Sequence, residues 1–594
     1  MIDSAKETTI EINSKIDKLI ILCLFGILMS YIIIRVFTVF YVHDEIVSIW
    51  AYMIDWNPLP HQGYFDANNQ FLNSLLGGLF IRLFQSDAIW VTRLPNVLSF
   101  PLYFFSIVAF YRFFKKKEAF YFFLISLTCT PFILDFFSLA RGYGLAWAFL
   151  MWAICQGAIY MKYRNSLSLF YFLLASLLAL YSNLSILPII ITVFCYLLLF
   201  KLSLKERFTK KIEQLSYFLI TIIFLGLAID YSLELQRSGK LYMGAANNFY
   251  TTTVEPLVRY LWKTPNMFTL VILIILLVGV FISLFTVQKK QLTLFLISSY
   301  FTTLLLLCLG FIFILNKLVG VNFPENRSAA YLIFLFYGSI AFALDQIRWT
   351  GISLAFSCVI LILFLNKANF THTMVYQAEH FDMELLTKIP ERVNGIPPST
   401  AGVYYNQDNA MSRIYNLPIN ALQTIVTEPI IMQDYLIEFS DKDSLFNKDY
   451  SIIHTDPISN LALFERKEFL KRKKLFEKRT QINGEDEFIN LMDNRPSQAG
   501  FVRCKGTLKN MTMQNQAVIL FTQENTSNGE KLTYGGIAPV TSAAIDENGT
   551  ITFDFTYTMM DFEEADQMSV YIYNKQKLPL VGEISISFYE IELN

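Results

Sequence analysis

Charge is what this sequence has least of. Only 16% of its 594 residues are Asp, Glu, Lys or Arg, and the 48 basic and 49 acidic residues nearly cancel. No basic block stands out, which removes the electrostatic support that nucleic-acid binding requires. Histidine is scarce at five residues, and no His-x-x-His or similar short spacing offers a ready metal-ligand motif. Of the seven cysteines, Cys23, Cys129, Cys155, Cys195, Cys308 and Cys358 fall inside apolar runs, and Cys504 stands alone in the polar C-terminal third. No disulfide framework is implied. Internal repeats and low-complexity tracts are also missing, so the chain does not read as a repeat array.

What is present is apolar. Hydrophobic residues make up 54% of the chain, with 55 Phe and 32 Tyr, and the mean hydropathy is +0.42. Apolar runs of the length needed to cross about 30 Å of hydrocarbon recur through the first two thirds. They lie at roughly 17–42, 88–113, 119–138, 142–161, 167–183, 186–200, 214–233, 268–287, 292–316, 328–345 and 349–366. That predicts about eleven transmembrane helices. The first run is too long for a signal-peptide core and lacks a small-residue cleavage site, so it is expected to stay as an anchor.

Lys and Arg are retained on the cytoplasmic side and set orientation. Lys15 and Lys18, Lys115 to Lys117, Lys162 and Arg164, the run from Lys201 to Lys211, Lys289 and Lys290, and Arg348 share one face if the N-terminus is inside. This holds only if residues 68–85 do not cross. Their apolar core is short and contains Gly77, Gly78 and Arg82, so the stretch reads as an interfacial helix. The expected placement is a multi-pass protein of the cytoplasmic (inner) membrane, with residues 43–92 as a large external loop and the C-terminal domain outside.

Three domains follow: a membrane all-α region at 1–367, a small α/β subdomain with a linker at 368–480, and a β-sandwich at 481–594. Strands are expected at Ala401–Tyr405, Tyr435–Phe439, Tyr450–His454, Ala462–Arg466, Ala517–Thr522, Ile551–Tyr557, Ser569–Tyr573 and Glu583–Ile591, with a short helix at Met383–Ile389. The charged run Arg466–Arg479 reads as a helix and linker. Alternating segments after residue 500, punctuated by Asn528-Gly529 and Asn548-Gly549, indicate the sandwich.

Chemistry is concentrated at the outer span mouths. His43-Asp44-Glu45 follows the first span, and adjacent carboxylates are costly to hold near hydrocarbon, which marks an active or ion site. A long loop carries Tyr64-Phe65-Asp66. Thr92-Arg93-Leu94-Pro95 and Ala140-Arg141-Gly142-Tyr143 open later spans, and Phe323-Pro324-Glu325-Asn326-Arg327 precedes another. In order and spacing these motifs resemble the GT-C glycosyltransferases, above all the protein O-mannosyltransferases and the aminoarabinose transferases that modify lipid A. The resemblance covers most of the first 200 residues and the architecture of the rest.

The resemblance implies a GT-C fold and an enzyme that takes a sugar from a polyprenyl-phosphate donor, in contact with membrane lipid, to an extracytoplasmic acceptor. By position Asp44 matches the family's catalytic base. Glu45 is expected to orient the acceptor or hold a network, although adjacency lets either carboxylate be the base. Asp66 matches a second acidic position in the aminoarabinose-transferase pattern, but Ala67-Asn68-Asn69 follow it where that pattern has a lysine and prolines. Arg327 is the candidate for the donor phosphate, with Arg141 and Arg93 as alternates.

No cofactor is specified. His43, Asp44 and Asp66, with His61, could furnish a divalent-metal site, though a histidine bonded to loop backbone or acceptor is the simpler reading. Trp50, Tyr52, Trp56 and Tyr64 are candidate sugar contacts. Two rival readings stay open. A transporter or flippase would place ionisable residues at mid-membrane and show inverted repeats; an envelope assembly protein would give no reason for acidic and Arg motifs at separate span mouths.

Overall fold

The computed structural model describes residues 14–61, 65–203, 211–241, 244–261, 299–393, 395, 398–402, 423–424, 432–512, 515, 517–527, 529–543, 545–546, 548–559 and 564–592. The chain divides into two compact units. The first comprises residues 1–39 and 47–375; the second comprises residues 40–46 and 376–594.

The first unit is helical, as its apolar composition dictates. Its elements are α1 (Lys15–Thr38), α2 (His43–Ser48, which begins in the second unit), α3 (Phe71–Phe84), α4 (Ile89–Val108), α5 (Lys117–Thr128), α6 (Pro131–Asp135), α7 (Tyr143–Tyr163), α8 (Ser166–Ser182), α9 (Leu187–Ser203), α10 (Lys211–Arg237), α11 (Glu255–Leu261), α12 (Tyr300–Val319), α13 (Tyr331–Leu344) and α14 (Thr350–Lys367). Among the described residues, seven helical segments are long and apolar enough to cross a membrane, and Phe71–Phe84, Ser166–Ser182 and Leu184–Phe200 are shorter apolar helices. The eleven expected spans are therefore not all recovered. The run at 268–287 lies outside the described residues. The run at 119–138 is a correction: it is broken into α5 and α6. α5 has 12 residues, a rise of about 18 Å, too short to cross. Pro131 at the start of α6 cannot continue a helix from α5, because it lacks an N–H and its ring clashes with the preceding turn.

The stretch at 68–85 contains α3, a helix of 14 residues. Gly77 and Gly78 are what let it lie against residues 49–54. A Cβ on Gly77 would fall 2.5 Å from Met53 Sδ, and one on Gly78 would fall 3.0 Å from the Met53 carbonyl. Leu79, Leu83 and Phe84 are exposed, the apolar outer surface an interfacial helix needs.

The second unit holds three sheets. A mixed five-stranded sheet has the order β2-β1-β3-β5-β4, from β1 (Thr400–Gly402), β2 (Gln423–Thr424), β3 (Tyr435–Phe439), β4 (Tyr450–Thr455) and β5 (Leu461–Arg466). Phe381, Leu385 and Leu386, around the short helix α15 (Glu384–Thr387), pack on Tyr435, Ile437 and Leu463 of this sheet. Two antiparallel four-stranded sheets follow, ordered β10-β9-β12-β7 and β11-β8-β13-β6. They comprise β6 (Arg472–Gly484), β7 (Phe488–Pro496), β8 (Gly500–Lys509), β9 (Val518–Asn525), β10 (Glu530–Ile537), β11 (Ile551–Met559), β12 (Gln567–Tyr573) and β13 (Leu580–Ile591). One core joins them, with Ile519, Phe521, Val570 and Ile572 from the first sheet meeting Val502, Cys504, Ile584 and Ile586 from the second. This is the face-to-face packing of a sandwich.

The run Arg466–Arg479 is a second correction. It contains no helix; Arg472 onward is strand β6, paired along its length with β13. β6 is an edge strand, and edges favour charged side chains because these oppose pairing with another chain. The Lys and Arg that suggest a linker are those an exposed edge requires.

Candidate active site

Asp44 and Glu45 lie one after the other on α2, and the fold treats them differently. Glu45 is fully buried, and its Oε2 accepts the Val42 N–H at 3.2 Å. That is the reach of a third-position helix residue back to its cap, which satisfies an orphan donor of the first turn. Asp44 is half-buried and accepts the Tyr376 hydroxyl at 2.9 Å. The next donor of that turn, the His43 N–H, goes to Glu379 Oε2 at 2.7 Å. The Phe40 ring meets the His380 imidazole edge-on at 6.1 Å, and His380 Nδ1 lies 2.6 Å from Asp456 Oδ2.

Burial raises the Asp456 pKa, but the bonds from His380, the Ile458 N–H and Ser459 more than offset it, so the carboxyl sits below its ordinary value. A folded value below the unfolded one stabilises the fold in full above the unfolded Asp pKa of about 3.9, and the contribution is lost as pH falls through the folded value. Asp456→Asn is thus expected to lower the thermal midpoint at pH 7 and to differ less from the parent near pH 3. A gap that stays constant between those pH values would contradict this.

In the first unit a second cluster forms around Arg141, which is 3% exposed. Its Nη1 donates to Ser48 Oγ at 3.0 Å and to Asn68 Oδ1. Gln70 Oε1 accepts the Gly142 N–H. Asn73 donates to the Ala140 carbonyl at 3.2 Å, and Asn96 joins Asn73 at 2.8 Å to the Leu145 N–H at 3.0 Å. Asn73 and Asn96 are fully buried and Gln70 is nearly so, so their amides are strongly held to this geometry. Gly142 is obligatory here: a Cβ would fall 2.1 Å from the Ser182 carbonyl oxygen.

Arg327 lies in a short 3₁₀ turn at Asn326–Ala329 whose start is closed by a Glu325/Ser328 capping box. Its guanidinium carbon is 6.0 Å from the centre of the Tyr143 ring, and that of Arg141 is 6.0 Å from the same ring. Two cations thus share one aromatic, each at the outer limit of cation–π attraction. Tyr260, whose hydroxyl donates to Asn326 Oδ1 at 3.3 Å, is shifted up by burial, and the nearby Arg327 charge opposes the shift. A pair of guanidiniums held in this way can bind a phosphate through several charge-assisted hydrogen bonds.

Two solved proteins are similar in architecture. Arabinosyltransferase EmbB from Mycobacterium smegmatis is 9% identical with a TM-score of 0.39, over 96% of this chain and 64% of that one. This chain thus spans less than two thirds of EmbB. ArnT from Cupriavidus metallidurans is 10% identical in its apo state, with a TM-score of 0.46, over 76% of this chain and 98% of ArnT. Its structure bound to undecaprenyl phosphate gives 11%, 0.43, 75% and 98%. No family model and no curated protein matches the sequence.

The other expected site residues are placed as follows. Arg93 is fully buried and its Nη1 donates to the Val36 and Val39 carbonyls at 3.0 and 2.8 Å, closing the C-terminal end of α1 as a cation does at that pole. Asp66 Oδ1 accepts the Asn68 N–H at 2.9 Å, a local turn bond. His61, at a left-handed φ of 62°, packs edge-on to Tyr231 at 5.2 Å, with Nε2 3.7 Å from Glu234. Trp50 and Tyr52 lie in a π-helical extension of α2 at Ile49–Ile54, where Tyr52 is fully buried. Trp56 stacks on Arg82 at 4.2 Å. Tyr64 lies outside the described residues. Among the described residues no group of three His, Cys, Asp or Glu could hold a metal ion, and the metal reading of His43, Asp44 and Asp66 gains no support.

Sequence reasoning missed Ser48, Asn68, Gln70, Asn73, Asn96, Tyr376 and Glu379. The stretch Ala67-Asn68-Asn69 was visible as a departure from a known pattern. Its role in holding the Arg141 loop was not.

Proposed function

We propose that this protein is a membrane glycosyltransferase that moves a sugar from a polyprenyl-phosphate donor to an extracytoplasmic acceptor with inversion. The observation that carries the reading is the convergence of Arg141 and Arg327 on Tyr143. It supplies what a leaving lipid phosphate needs, a cationic cradle braced by buried amides. In this reading Asp44 takes the proton from the acceptor hydroxyl as its oxygen attacks the anomeric carbon. The bond from that carbon to the phosphate oxygen breaks, and the electron pair leaves with the phosphate. In this reading the N-terminus lies inside and the C-terminal domain outside the cytoplasmic membrane. Protein hydroxyls, lipids and surface glycans are all acceptors of suitable chemistry.

The test is transfer and binding by the purified chain in lipid, using undecaprenyl-phosphate sugars. Arg141→Ala and Arg327→Ala are each expected to weaken undecaprenyl-phosphate binding by roughly ten-fold or more, the size of a lost charge-assisted bond. Arg141→Lys is expected to recover only part of it, because an ammonium does not reproduce the planar fork. Unchanged donor affinity in both alanine variants would remove the phosphate assignment.

A further inference from the structure

We propose that Tyr376 is a positioning residue for the Asp44 carboxylate; this rests on the reading of Asp44 as the base. Tyr376 is 6% exposed and its hydroxyl donates to Asp44 Oδ2 at 2.9 Å across 332 residues of sequence. The contact belongs to a built arrangement. The segment Tyr376–His380 reaches residues 40–46 at three points: the Tyr376 hydroxyl on Asp44, the Glu379 carboxylate on the His43 amide and the His380 ring on Phe40. His380 is in turn fixed by Asp456, which also accepts from Ile458 and Ser459. The segment is thereby tied to the loop between β4 and β5.

The first turn of a helix offers orphan amides that an acidic residue inside the turn readily takes. Here Glu45 and Glu379 take those of Val42 and His43. Beside these capping bonds, the Asp44 carboxylate accepts a side-chain hydroxyl. A phenol with its ring buried loses little rotamer freedom and holds one carboxylate oxygen in a set orientation, which is what a base requires.

The experiment compares the parent, Tyr376→Phe, Asp44→Asn and the double variant, as full chains in lipid with undecaprenyl-phosphate sugars. Tyr376→Phe is expected to lower kcat roughly ten-fold while donor KM and undecaprenyl-phosphate binding stay within about two-fold. The double variant should be no slower than Asp44→Asn alone, since positioning matters only while the base is present. A merely structural tyrosine would move kcat, KM and binding together, and that result would overturn the proposal. A kcat near the parent value beside an inactive Asp44→Asn would also overturn it while sparing the base. Full transfer by Asp44→Asn would overturn the base and the positioning role together. If Tyr376→Phe does not fold, Glu379→Ala, which removes the acceptor of the His43 amide, is expected to show the same split.

Discussion

Asp44→Asn is expected to reduce transfer by about 10²- to 10⁴-fold, the span of general-base contributions, with folding and donor binding intact. The substitution preserves shape, and the amide oxygen can still accept from Tyr376. What it removes is the capacity to take a proton. Glu45→Gln sets the contrast. Glu45 is fully buried and bonded to the Val42 amide, a contact a glutamine oxygen keeps, so its transfer should stay within about ten-fold of the parent. The pair of variants therefore decides which adjacent carboxylate is the base. Loss with Glu45→Gln and survival with Asp44→Asn would reverse the assignment, and survival of both would end it.

Asp135→Leu is expected to be the most destabilising single change in the first unit. Arg35 on α1 and Asp135 at the end of α6 form an ion pair at 2.7 Å with both side chains at 0% exposure. Arg35 also donates to the Asn369 Oδ1 at 3.1 Å and the His372 carbonyl at 2.9 Å, and Asp135 accepts the Met374 N–H at 2.7 Å. Removing the carboxylate leaves a guanidinium out of water without its counter-charge, which costs about 3–5 kcal/mol, whereas replacing both partners by apolar residues is often close to neutral. Asp135→Leu should thus lose its thermal midpoint sharply in lipid, and Arg35→Met/Asp135→Leu should regain much of it. An unchanged midpoint in the single variant would show that the pair contributes nothing.

Local pattern was enough for much of the fold. Apolar runs of spanning length located α1, α4, α7, α10, α12, α13 and α14, short strand-like segments located β3, β4 and β5, and period-two alternation after residue 500 located β9, β11, β12 and β13 to within a few residues. Composition alone hid the break at Pro131, because residues on both sides of it are apolar and buried. Charge hid β6, because Lys and Arg at an exposed edge read as a linker. At the site, the acidic pair and the Arg motifs stood out as charges near lipid. Their partners did not: Ser48 is 93 residues from Arg141, and Tyr376 and Glu379 lie beyond the last apolar helix. Adjacency in sequence does not distinguish the capping carboxylate Glu45 from its neighbour Asp44; burial, the Val42 bond and the Tyr376 bond do.

The grouping of residues 40–46 with the C-terminal unit bears on how such a protein can be shortened. A chain cut after residue 375 would keep all seven of the described helical segments long and apolar enough to cross the bilayer. It would also have discarded the phenol on Asp44, the carboxylate on the His43 amide and the imidazole on Phe40. The polar third is thus no removable appendage. The acidic motif is translated before most of the hydrophobic helices, but its surroundings are not finished until the ribosome has passed the last of them.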